Sequence, residues 1–214
     1  PWPPSGGSSG GHPMRVAVDA RQAFRPHRRG MGKSLVDLYR TLAARRPGWD
    51  VVFYHQVPAD VPELAGLPNL RAVRLDVPGA DRFDLWEQVL FPAAAVRADV
   101  VHAPANTGPL LTAAPLVVTV HDLIPLDFGP HTEASRRWGA RVRAAAHRAK
   151  HVLTPSGYSR GRIVAALGVP AAKVTVPGWG PRPGLGRVDD PVAIDRAAAR
   201  FGLAPREPYL FGFG

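Results

Sequence analysis

Two stretches of this chain place chemically able residues at the end of an apolar run. In the first, His121-Asp122 follows Pro115-Leu116-Val117-Val118-Thr119-Val120. A histidine beside a carboxylate can contact substrate hydroxyls or carry a proton. No second histidine or carboxylate stands beside them at ligand spacing, so a metal is not expected there. A lone histidine is often a satisfied structural residue, and its place at a strand end tips the reading towards substrate contact. In the second stretch, Gly30-Met31-Gly32-Lys33-Ser34 opens a helical pattern. A glycine-bearing turn at a helix start exposes backbone N–H groups and the positive end of the helix dipole to an anion. A diphosphate or a sugar hydroxyl is the ligand such a turn would take.

The same five residues match the last part of a phosphate-cradling Walker A loop. That loop needs a glycine five places before its last one, and His27 stands there, so the cradle is incomplete. With 116–122 in place of the accompanying acidic strand, a degenerate P-loop NTPase is an alternative reading. Glycines that merely permit a tight turn are another. A third stretch is the basic helix over 134–150. At about 100° per residue, Trp138, Val142, Ala145, Ala146 and Ala149 share one face, and Arg136, Arg137, Arg141, Arg143, Arg148 and Lys150 cover the rest. A solvated outer face accounts for this pattern; docking on an anionic membrane is the functional alternative.

These residues need elements to position them. The apolar run 14–19 ends in Asp19 and reads as a buried strand. An Arg-, Pro- and Gly-rich loop follows, and then Leu35, Leu38, Tyr39 and Leu42 recur at helical spacing, which predicts a helix over 31–46. Strands are expected over 50–55, 70–75, 99–102, 115–120, 151–154 and 173–176, and helices over 132–149, 156–167 and 191–201. Leu85, Val89 and Val96 suit a further helix interrupted near Pro92, and Ser156 suits the cap of the helix behind it. Strands alternating with helices imply a Rossmann-like α/β domain, a parallel sheet with helices on both faces. Ligands bind beyond the carboxyl ends of such strands, where the polar loops at 102–106 and 121–122 fall.

The 214 residues suit one domain, or one domain and the start of another. Residues 1–13 are Pro, Gly and Ser around one Trp and one His, a linker without the basic start and apolar middle of a signal peptide. The domain proper is expected over 14–205. The final Pro208-Tyr209-Leu210-Phe211-Gly212-Phe213-Gly214 reads as a strand running into a glycine turn, so 206–214 is expected to open a second domain. No cysteine is present, which excludes disulfides and thiolate metal sites. No apolar run approaches the roughly 20 residues that span a bilayer. The formal charge of +10 is almost all arginine, with Lys33, Lys150 and Lys173 the only lysines. A general basic surface explains it better than nucleic acid, because no stacking aromatics interleave the arginines.

Taken in order, the pieces resemble the N-terminal domain of glycosyltransferase family 4, retaining enzymes of the two-domain GT-B architecture. The resemblance runs from Met14 to Gly214. Its carriers are Val18-Asp19-Ala20-Arg21, Arg29-Gly30-Met31-Gly32-Lys33, Trp86-Glu87-Gln88-Val89-Leu90-Phe91-Pro92 and Val101-His102-Ala103-Pro104-Ala105-Asn106. Val120-His121-Asp122-Leu123-Ile124-Pro125-Leu126 is the most specific, followed by Thr154-Pro155-Ser156-Gly157-Tyr158-Ser159-Arg160 and Leu167-Gly168-Val169-Pro170. One departure is Pro177-Gly178-Trp179-Gly180-Pro181, where the family usually has a Pro-Asn-Gly-Val-Asp-like turn. Another is that the family's second domain, with its diphosphate-binding Arg and Lys and its paired glutamates, has no counterpart in these residues.

The resemblance implies transfer of a sugar from a nucleotide sugar to a glycan or lipid-linked acceptor, with retention and without a bound metal or cofactor. The Trp-Glu-Gln and His-Asp-Leu-Ile-Pro motifs look most like mannosyltransferase relatives, which makes GDP-mannose the first donor to consider. His121 is the implied sugar contact, with Asp122 orienting its loop. Gly30, Gly32 and Lys33 are expected near phosphates or the reacting sugar, and Glu87 and Asn106 near the acceptor. The expected setting is cytoplasmic, peripheral at the inner membrane face, and the 214 residues alone are expected to be inactive. A non-catalytic sugar- or membrane-binding remnant is the rival reading.

Overall fold

The computed structural model describes residues 12–77, 85–180, 185–204, 208–210 and 212. Seven strands form one all-parallel sheet in the order β3-β2-β1-β4-β5-β6-β7. They are β1 (Met14–Asp19), β2 (Trp49–His55), β3 (Leu70–Arg74), β4 (Val100–Ala103), β5 (Leu116–Thr119), β6 (His151–Leu153) and β7 (Val174–Thr175). The helices are α1 (Gly30–Arg45), α2 (Phe91–Ala94), α3 (Ile124–Asp127), α4 (Glu133–Arg148), α5 (Gly157–Leu167) and α6 (Pro191–Ala199). Each expected strand and helix in the described part is present, with boundaries shifted by a residue or two.

Both faces of the sheet are buried where the strand runs are most continuously apolar, as parallel sheets require. Alternation along β1 and β2 sends Val16, Val18, Val51 and Phe53 to one face, where Leu35, Val36, Tyr39 and Ala43 of α1 meet them. Ala17, Val52 and Tyr54 point the other way, into a cluster with Trp86, Phe91, Leu116 and Val118. Val142, Ala145 and Ala146 of α4 and Ile163 and Leu167 of α5 complete that second core. The apolar face predicted for the basic helix is therefore the face that α4 buries.

Local chemistry sets the ends. Thr132 caps α4 by accepting from the Ser135 N–H, and Ser156 caps α5 by accepting from the Ser159 N–H. Gly168 closes α5 in the left-handed region at φ 71°, where a glycine costs least. The helix expected near Pro92 departs from simple periodicity. Trp86–Leu90 forms a π-helical turn in which the Phe91 N–H reaches back to the Trp86 carbonyl, and α2 follows it. Pro92 sits at the second position of α2, where its missing N–H breaks no bond of that helix.

The chain divides into two compact units at Trp179/Gly180. The first holds the sheet and α1 to α5. The second holds α6, capped by Asp190, which accepts from the Val192 N–H. The helix expected over 191–201 thus forms, within this second unit. Most of the linker expected over 1–13, and much of the strand expected over 206–214, lie outside the described residues.

Candidate active site at the sheet's switch point

The strand order reverses between β1 and β4. From β1 the chain moves outward to β2 and β3; from β4 it moves the other way to β5, β6 and β7. Loops from the carboxyl ends of β1 and β4 therefore part there, which opens the crevice used by such sheets for ligands. His121 stands at this edge, two residues beyond β5.

His121 is held by four contacts. Its backbone N–H donates to Asn106 Oδ1 at 2.7 Å, and its carbonyl accepts from the Ser159 hydroxyl at 3.1 Å. Ring Nε2 lies 2.9 Å from the Pro104 carbonyl, which can only accept, so Nε2 carries the proton and Nδ1 its lone pair. The Trp179 ring meets the imidazole edge-to-face at a centroid distance of 5.3 Å. Burial holds the His121 pKa below its ordinary range, against smaller upward pulls from the Pro104 carbonyl and Asp122. The side chain is thus a neutral, oriented hydrogen-bond acceptor at neutral pH. The Asp122 carboxylate, expected to orient its loop, accepts from the Ile124 N–H at 3.1 Å, at the start of α3.

Asn106 lies in the left-handed region at φ 68°, a conformation asparagine tolerates better than other non-glycine residues. Its own N–H goes to the Thr119 carbonyl and its side-chain oxygen to His121, so it supports the histidine from the β4 loop. Glu87, expected near the acceptor, is only 4% exposed. Oε2 accepts from Arg21 Nη2 at 2.8 Å and from the Thr107 hydroxyl at 2.9 Å, and Oε1 accepts from Gln88 Nε2 at 3.1 Å. Burial raises its pKa; the Arg21 charge opposes that rise. The sequence motif explains itself in this geometry. Trp86 lies under the Arg21 guanidinium at 4.3 Å, Glu87 grips Thr107, and Gln88 bonds the Gly108 carbonyl and the Leu110 N–H. Gly108 is obligatory there, since a Cβ would sit 2.7 Å from that of Ala103.

Gly30, Gly32 and Lys33 open α1, and Gly32 packs against the loop that follows β1. Gly30 and Lys33 are exposed, and α1 begins with no side-chain cap and no acidic residue in its first turn. Gly32 has a packing reason: a Cβ there would lie 2.1 Å from the Gln22 carbonyl oxygen. The turn is therefore pressed against the loop that follows β1.

Several residues that were not expected as site residues are also built into this edge. His102 of β4 is buried, with Nδ1 2.9 Å from the Tyr39 hydroxyl and Nε2 2.9 Å from the Thr119 hydroxyl. Burial first, and the neighbouring His121 second, lower its pKa to about 4. Arg21, Thr107, Ser159 and Trp179 complete the group. The recurrence of Arg21, His102 and Ser159 in the quoted motifs was a signal for them, but local spacing carried none. Among the described residues, no helix is long and apolar enough to cross a membrane.

Comparison with known proteins bears on both halves of this description. The chain is similar in fold to Anabaena Alr3699/HepE solved with UDP, at a TM-score of 0.59, 18% identity, and coverage of 88% of this chain and 50% of that one. The same protein with UDP-glucose matches at a TM-score of 0.59, 16% identity, and coverage of 88% and 50%. A glycosyltransferase from Rickettsia africae ESF-5 matches at a TM-score of 0.53, 12% identity, and coverage of 91% and 51%. The chain spans about half the length of these proteins, and its Rossmann-like sheet corresponds to the N-terminal half of a GT-B glycosyltransferase. No curated protein matches it in sequence. The profile of Glycosyltransferase Family 4 matches residues 28–177, from the approach to α1 through the end of the sheet and including every residue of the His121 group except Arg21 and Trp179. On that match, covering most of its length, the chain belongs to glycosyltransferase family 4.

Proposed function

We propose that the protein containing this chain transfers a sugar from a nucleotide-sugar donor to an acceptor with retention of configuration, and that His121 contacts the reacting sugar. The observation that carries this reading is the presentation of a neutral His121 at the switch-point edge, with Nε2 bound to Pro104 and Nδ1 left to accept. Transfer requires charge to be stabilised on a leaving diphosphate and an oxocarbenium-like sugar, and preorganised donors and cations serve that need. The uncapped start of α1 with Lys33 suits the diphosphate side. Asn106 and Glu87 act behind His121 rather than on the acceptor.

For the donor, the sequence motifs favour GDP-mannose, while the HepE structures hold UDP and UDP-glucose. The acceptor is a glycan end or a lipid-linked glycan. Membrane contact through the helix over 134–150 has limited support. Arg136, Arg143 and Arg148 of α4 donate to carbonyls of their own chain, and Arg137 faces Glu133. No preference for anionic vesicles in co-sedimentation would remove it.

The test is nucleoside-diphosphate release by the longer protein with each donor, for native enzyme and His121→Ala. Turnover should fall on the order of a hundredfold or more, the scale of losing one preorganised transition-state contact, with an unchanged far-ultraviolet spectrum. Unchanged kinetics would make His121 structural. The 214 residues alone should show no transfer. Sugar binding without turnover by the longer protein would favour the remnant reading instead.

A further inference from the structure

A continuous chain of contacts crosses the switch point from β1 to β5 and ends on His121. Arg21, just beyond β1, binds Asp19 through Nε at 2.9 Å and Nη2 at 2.6 Å. The same Nη2 donates to Glu87, Glu87 accepts from Thr107, and Thr107 adjoins Asn106, whose side chain receives the His121 N–H. All three charged groups are buried, at 3% for Asp19, 5% for Arg21 and 4% for Glu87.

Interior charges of this kind are weak contributors to stability. Each ion loses its hydration, and well-packed apolar residues serve stability as well or better. What an ion cluster supplies is direction: a guanidinium fork bound to two carboxylates has one geometry. Here that direction is passed to a loop that holds Asn106 in an otherwise unfavourable conformation, at φ 68°. We propose that Arg21, Glu87 and Thr107 are positioning residues for His121, acting through Asn106 on its backbone amide and ring orientation. The inference rests on the reading that His121 meets the reacting sugar, and it assigns a reason for the buried cluster.

Thr107→Val tests it without stranding a charge, because Glu87 keeps Arg21 and Gln88 while the link to the loop is lost. Thr107→Ser restores the hydroxyl and serves as the rescue, and Asn106→Gly keeps the backbone conformation while removing the acceptor. In this chain, amide exchange and long-range ¹H–¹⁵N spectra of the ring report His121 directly. Native protein and Thr107→Ser should show a single Nε2–H tautomer and a protected His121 amide. Thr107→Val and Asn106→Gly should lose about tenfold or more of that amide's protection, the effect of one lost hydrogen bond, and mix the tautomers. In the longer protein, kcat should fall for Thr107→Val with donor KM little changed, and return with Thr107→Ser. Unchanged His121 spectra and exchange in Thr107→Val would overturn the proposal. That failure differs from failure of the functional reading, in which His121→Ala leaves turnover intact whatever the spectra show.

Discussion

His102 should make the stability of this domain fall steeply in mild acid. The imidazole is 4% exposed, between the Tyr39 and Thr119 hydroxyls. A neutral ring with one donor and one acceptor nitrogen suits two hydroxyls, each able to give or take. An imidazolium brings a charge into this buried place, where no carboxylate pairs with it among the described residues. Its pKa accordingly drops from 6.5 to about 4 in the folded state. The unfolded chain then binds a proton between those values that the folded chain refuses. Stability is therefore whole above pH 6.5 and is lost as pH falls towards 4. At 1.36 kcal/mol for each tenfold difference in proton affinity, the full loss is about 3 kcal/mol. Urea unfolding of native protein and His102→Gln at intervals from pH 7.5 to 4 would measure it. Glutamine cannot reach both hydroxyls, so the variant should be weaker at pH 7 by about 1–3 kcal/mol. Its stability should then decline less on acidification, the two curves converging by about 3 kcal/mol. Parallel curves would show that another group carries the acid loss and that the burial argument for His102 is wrong.

Two further predictions address the neighbouring elements. Gly32→Ala should destabilise by about 1–3 kcal/mol through its clash with the Gln22 carbonyl, seen as a melting temperature lower by several degrees; a variant with native melting but weakened phosphate binding would make Gly32 a ligand residue. Because burial lowers the His121 pKa, the acidic limb of kcat that His121 imposes on the longer enzyme should lie below pH 6.5. A limb at or above pH 6.5 that disappears in His121→Ala would contradict that sign.

Much of the architecture was legible because its signals are local. Valine-rich runs ending in polar turns locate the strands, and apolar spacing locates α1, α4 and α5 with their caps. The α4 stripe of Val142, Ala145 and Ala146 was readable from its period, and it is the stripe the core receives. Glu87 was less legible. Its place near the acceptor was an expectation from the resemblance, and no local pattern told that the π-helical turn of Trp86–Leu90 sets it against Arg21.

By itself, the sequence determined the α/β class, the order of the elements and the place of His121 just beyond an apolar strand. Each of these follows from patterns a few residues long. Only the tertiary structure decided what holds that residue. Arg21 meets Glu87 across 66 positions, Tyr39 meets His102 across 63, and Asn106 meets the His121 amide across 15. Such pairings depend on which strands are neighbours and in what register. A slip of one residue in β4 would turn His102 to the opposite face and away from Tyr39, and no local pattern encodes that choice.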